Sequence, residues 1–128
     1  MPITDWCELK MLQELVAAVP QMYMGLFTEA PSAGGDGGTE VSGTGYARQL
    51  IPFGDPATDE GGRTSMANSE PFAFPRAETS WGTVAAWGVW DAQTGGHLLW
   101  FQEFISPQAV LDGCAVAVQE SGISLALE

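Results

Sequence analysis

The side chains that could do chemistry in this sequence are few. The chain has one histidine, His97, which follows a Gly-Gly pair. A lone histidine with no partner nearby reads as a strand-end residue. Cys7 and Cys114 stand at no recognised ligand spacing from it, so no zinc set is expected. A Ser-His-Asp triad would rest on His97 alone, and no Gly-x-Ser-x-Gly elbow occurs. Asp55, Asp59 and Glu60 could offer oxygen ligands to calcium, but they lack the EF-hand order and read as a solvated loop. The remaining acids fall mostly in turns, where solvated carboxylates normally sit, which argues against a paired-carboxylate hydrolase. The glycine-rich loop Gly34–Thr39 precedes no Lys-Ser/Thr pair and is therefore no phosphate cradle. No catalytic residue, cofactor or metal ligand emerges.

What the chain holds instead is aromatic residues and charge asymmetry. Five tryptophans in 128 residues supply large apolar area, and tryptophan is enriched at interface hot spots. Sixteen acids face four bases, Lys10, Arg48, Arg63 and Arg76, for a net charge of −12. That balance opposes binding to nucleic acid or to anionic membrane, since both need cations. Exposed ion pairs formed by these bases would set register more than stability, at about 0–1 kcal/mol each. The two cysteines read as buried thiols, not as a disulfide. No secretory signal is visible, and the apolar-leaning stretch 9–19 is too short to span a bilayer.

The elements that must position these residues follow from periodicity. Residues 5–18 predict a helix: Asp5 and Glu8 form a capping-box-like start, Trp6, Leu9, Leu12, Leu15, Val16 and Val19 recur at helical spacing, and Pro20 stops it. The stripe either covers an end of the chain's own sandwich or docks on a neighbouring subunit. From residue 21 the period becomes two. Strands are expected at 22–27, at 46–51 with Tyr46, Arg48 and Leu50 on one side, around Thr64–Ala67, and at Phe72–Phe74. The stretch 82–90 is apolar on both faces and predicts a central strand. Residues 91–96 predict a hairpin turn and 97–104 the return strand. A last hairpin is expected from 115–118 and 123–127 through Gly122. Sixteen glycines and eight prolines fit short strands and turns. The expected fold is all-β, an antiparallel β-sandwich, jelly-roll-like, with one N-terminal α-helix. Residues 1–20 form a helical arm and 21–128 the sandwich domain.

Interface candidates follow from the same reading. They are Trp6, Leu9, Leu12 and Val16 on the helix, Tyr46, Arg48 and Arg76 at strand margins, and Trp87, Trp90 and Trp100 among the strands.

Five segments occur in one order: Met22–Pro31 (MYMGLFTEAP), Gly38–Gln49 (GTEVSGTGYARQ), Phe72–Pro75 (FAFP), Ser80–Thr83 (SWGT) and Gly88–Leu99 (GVWDAQTGGHLL). That order resembles a family of small bacteriophage virion proteins often labelled tail-fibre proteins, over roughly residues 21–127. The resemblance implies a structural virion component, made in the host cytoplasm, with no catalytic residues. A fibre shaft needs a repeat such as heptads or a β-helix, and neither is visible. The expectation is therefore a trimeric capsid cement or decoration protein, bound to the major capsid protein or other virion proteins, touching no nucleic acid and no membrane. The alternatives are a tail-fibre or baseplate component and, from another class, a carbohydrate-binding adhesion module with Trp87, Trp90 or Trp100 as its platform.

Overall fold

The computed structural model describes residues 4–120 and 122–127. Its elements are α1 (Asp5–Ala18), β1 (Tyr23–Glu29), β2 (Thr39–Glu40), β3 (Gln49–Leu50), β4 (Ala57–Thr58), β5 (Thr64–Ala67), β6 (Phe72–Ala73), β7 (Gly82–Trp90), β8 (Leu98–Val110), β9 (Ala117–Val118) and β10 (Ser124–Leu127). The fold is of the all-β class, built of antiparallel sheets with one N-terminal helix, as the periodicity predicts. The chain divides into two compact units, each assembled from separated stretches. One holds residues 1–21, 51–72 and 118–128; the other holds 22–50 and 73–117. The short strands β6 and β9, where the chain passes between these stretches, pair with each other.

The larger unit is one five-stranded sheet in the order β2-β1-β7-β8, with β3 also pairing β1. β7 lies in its middle. Val84, Ala86, Val89 and Trp90 are all buried, so both faces of this strand are covered, as its two apolar faces predict. β1 aligns antiparallel to it with Gly25 opposite Gly88 and Leu26 opposite Trp87. The turn 91–96 closes the β7–β8 hairpin with positive φ at Gly95 and Gly96. Asp91 fastens it, accepting from the His97 backbone N–H at 2.6 Å and contacting His97 Nδ1 at 3.0 Å. Those two hydrogen bonds from His97 hold the Asp91 carboxyl below its ordinary range. β8 runs on to Val110, past the expected end at 104. Its ladder shifts on the way: Val84 faces Gln108 and Ala86 faces Glu103, so residues 104–107 bulge out opposite Ala85.

The smaller unit is a three-stranded sheet, β10-β5-β4, with α1 against β5 and β4. The strand expected around Thr64–Ala67 is its centre. Helix capping falls one residue earlier than the sequence suggests. Thr4 is the N-cap, accepting from the Cys7 N–H at 3.2 Å, which puts Glu8 beyond the position that could reach back to the cap. Glu8 is instead buried, and its Oε2 has no hydrogen-bond partner. Within the apolar stripe Leu12 is fully buried and Leu9, Leu15, Val16 and Val19 are half-buried, with α1 against β5 and β4, while Trp6 stays exposed.

Three expectations are corrected. The segment expected as a strand at 46–51 pairs only at Gln49–Leu50, against Tyr23 and Met24. Residues 43–48 form a turn whose side chains, not its backbone, bind the sheet. The last hairpin does not form: β9 pairs β6 and β10 pairs β5. Buried Asn68 explains the difference. Its Nδ2 donates to the carbonyls of Glu70 and Gln119, and its Oδ1 accepts from the Ile123 N–H at 3.0 Å. The chain does turn at Gly122, whose N–H donates to the Gln119 carbonyl at 2.8 Å, but Asn68 holds Gln119 and Ile123 on either side of that turn, and the flanking strands pair elsewhere. Finally, both cysteines are free, but only Cys7 is partly sheltered; Cys114 is exposed, because it lies in a turn after β8.

Candidate functional site

The most organised polar arrangement lies on one face of the larger unit's sheet, around Arg48. β2 presents Glu40 opposite Phe27 of β1. The 43–48 turn, with Gly45 at φ +90°, drops Tyr46 and Arg48 beside it. Arg48 Nε donates to Glu40 Oε2 at 2.9 Å and Nη2 to Glu40 Oε1 at 2.9 Å, a bidentate pair. Nη1 donates to the carbonyls of Ala92 at 3.0 Å and Gly95 at 2.7 Å, tying the β7–β8 turn to the pair. The guanidinium carbon sits 4.0 Å from the centroid of the Trp90 ring, in cation–π geometry.

Tyr46 completes the arrangement. Its hydroxyl donates to Glu40 Oε2 and accepts from the Leu26 N–H at 3.0 Å. Burial first, and then the hydrogen bond to Glu40, push its phenol far above the ordinary tyrosine range. Trp81 packs edge-on against Tyr46 at 5.5 Å and donates Nε1–H to the Thr44 carbonyl at 3.0 Å. Gly25 lies beneath: a Cβ there would come within 2.5 Å of Trp90, 2.7 Å of the Tyr46 hydroxyl and 2.9 Å of Glu40. An open cavity of about 320 Å³ borders the cluster, lined by Glu40, Tyr46, Arg48, Gln93 and Thr94.

Chemically this is a clamp. Both carboxylate oxygens of Glu40 are occupied, the arginine is satisfied on both sides, and the tyrosine is locked protonated. None of these groups is poised to attack, to abstract a proton or to hold a metal. Among the described residues no group of three or more His, Cys, Asp or Glu could hold a metal ion. Asp59 spends its carboxylate on the Gly61 and Arg63 N–H groups of its own turn.

The other sequence candidates are scattered. Leu12, Trp87 and Trp90 are buried within the chain, Leu9 and Val16 half-buried. The Trp90 face is covered by Arg48, so it offers no open platform to a sugar. Arg76 is exposed and donates to the Gly113 carbonyl at 2.7 Å. Trp6 stands 72% exposed on the outer face of α1, beside exposed Met11. Trp100 is half-buried on β8. Sequence reasoning missed Glu40 and Gly25. A glycine inside an apolar strand signals close approach of another group, which was the available clue to Gly25.

The Arg48 cluster thus closes on itself in a strand-rich fold, while Trp6 and Met11 on α1 stay exposed. Residues 2–126 match the family described as podophage GP4 fiber I protein gp80, and the chain belongs to that family. No curated protein matches it. It is a bacteriophage virion structural protein, made in the host cytoplasm and carried in the virion.

Proposed function

We propose that this protein is a structural component of the phage fibre apparatus, acting without catalysis and assembling with other virion proteins. The family match over nearly the whole chain carries the reading. The self-satisfied Arg48 cluster supports it, because that cluster holds a loop and a hairpin together and leaves no reactive group free. The described residues contain no repetitive shaft, so the module fits the base or end of a fibre better than its length. The capsid cement expectation rested on the missing shaft repeat, compactness and charge, and the family description favours the fibre. The test is copy number in purified virions, by quantitative mass spectrometry against the major capsid protein. A fibre component is present in small multiples of the fibre's symmetry. Abundance comparable with the capsid subunit would overturn the proposal and restore the shell-wide role.

A further inference from the structure

The outer side of α1 carries an open groove of about 430 Å³, lined by Trp6, Cys7, Lys10, Met11, Glu14 and Leu15. Its size falls within the ordinary range of binding clefts. At 100° per residue, Lys10 and Glu14 project opposite buried Leu12, and Trp6 and Met11 flank them as walls. Trp6 is 72% exposed and Met11 47%. A lone exposed aliphatic residue is ordinary on a protein surface. A tryptophan and a methionine on either wall of one groove are the residue types enriched where proteins meet.

The charge around the groove is negative. Asp5 and Glu14 are both exposed. The β4–β5 turn adds exposed Asp59 and Glu60. That turn comes up against the start of the helix: a Cβ on Gly62 would lie 3.8 Å from both Asp5 carboxylate oxygens. The groove's own cation, Lys10, is held by Glu14 at 3.6 Å. Across the smaller unit nine acids stand against two bases, a net charge of −7.

Taking the protein to assemble with other virion proteins, as proposed above, we infer that the α1 groove docks a basic segment of one of them. The segment seats an apolar side chain against Trp6 and Met11 and sets flanking lysine or arginine toward Asp5, Glu14 and the β4–β5 turn. The apolar contact supplies the affinity, because it removes the exposed ring and thioether from water. The acids steer the encounter and fix the orientation. An arginine in the segment gains a further cation–π contact on the open Trp6 ring. A second copy of this chain fits worse. It would bring another unit of −7 against the first, with a single groove lysine that its own Glu14 already holds. Nucleic acid and anionic membrane are repelled by the same charge.

The test uses particles assembled on a phage genome lacking this gene, with the full chain supplied in the host cell. Trp6→Ser should lower the copy number in purified virions about ten-fold or more, and Trp6→Phe should restore most of it. The double variant Asp5→Asn with Glu14→Gln should lower it as well. All three positions are exposed, so the urea midpoint of each variant stays near that of the unaltered chain, which separates lost docking from lost folding. In a second measurement p-benzoylphenylalanine replaces Met11 and intact virions are irradiated. The expected crosslink joins the groove to another virion protein, at a segment where lysine or arginine flanks an apolar side chain. An unchanged copy number for Trp6→Ser overturns the inference. So does a crosslink to a second copy of this chain or to an acidic segment, or no crosslink in virions that carry the labelled chain at the normal level. None of these results bears on the fibre assignment, which stands or falls on the copy number of the unaltered chain.

Discussion

Replacing Arg48 by methionine removes the guanidinium while leaving an apolar stem of similar length over Trp90. The Arg48 side chain is 9% exposed and that of Glu40 28%. Removing one partner of a buried ion pair costs about 3–5 kcal/mol, chiefly because the other charge is left unpaired. Partial exposure lets water reach Glu40, which places the loss at the lower end, about 3 kcal/mol. The carbonyls of Ala92 and Gly95 lose their donors as well, at about 1 kcal/mol each if water does not replace them. The expected total is about 3–5 kcal/mol, the upper figure applying if water does not replace the lost donors, read from urea unfolding of the full chain with an unchanged m-value. Adding Glu40→Gln removes the orphaned charge and keeps an acceptor for Tyr46. The double variant should therefore recover part of the loss, with a coupling of about 2 kcal/mol in the double-mutant cycle. A loss under about 1 kcal/mol for Arg48→Met, or a coupling near zero, would show that the pair behaves like an ordinary surface pair and would refute the reasoning.

Three further outcomes follow from the same geometry. Gly25→Ala pushes a methyl group into Trp90, the Tyr46 hydroxyl and Glu40, and should lower stability by about 1–3 kcal/mol in the same assay. Glu8→Met fills the site of a buried carboxylate whose Oε2 lacks a partner, and should raise the midpoint of unfolding, by about 1 kcal/mol in stability; a loss of stability would reveal a partner for Glu8. The raised phenol of Tyr46 contributes stability that is present in full below the ordinary tyrosine value, about 10, and is lost as pH rises from there toward the folded value; Tyr46→Phe should flatten this alkaline limb, and alkaline ultraviolet titration should show a phenol that ionises only with unfolding.

How much was legible in the sequence depended on how local the causes were. β7 was legible because both its faces are apolar, and the 91–96 turn because its glycines sit where left-handed backbone is needed. The helix was legible from spacing, with its cap displaced by one residue because Thr4 and Asp5 are both competent caps. The 43–48 segment was misread because Tyr46, Arg48 and Leu50 alternate as a strand would, yet Tyr46 and Arg48 are anchored by Glu40 and the Leu26 N–H and only Leu50 stands in a strand. Glu40 itself gave no signal, being one acid among sixteen. The final hairpin failed for a similar reason. The turn at Gly122 was legible and forms, while Asn68, far away in the chain, holds both its ends and the flanking strands pair elsewhere.

The interleaving of the two units has a consequence for the order in which the protein is completed. The larger unit needs nothing after residue 117, whereas the smaller one joins α1 to β10 from opposite ends of the chain. A growing polypeptide can therefore close the β1–β7–β8 sheet while β5 still waits for its second neighbour. Closing the smaller unit last spans most of the chain and is the slower, higher-contact-order event. Until β10 arrives, β5 has a free edge. A chain cut before β10 would keep every strand of the larger sheet but lack one strand of the smaller.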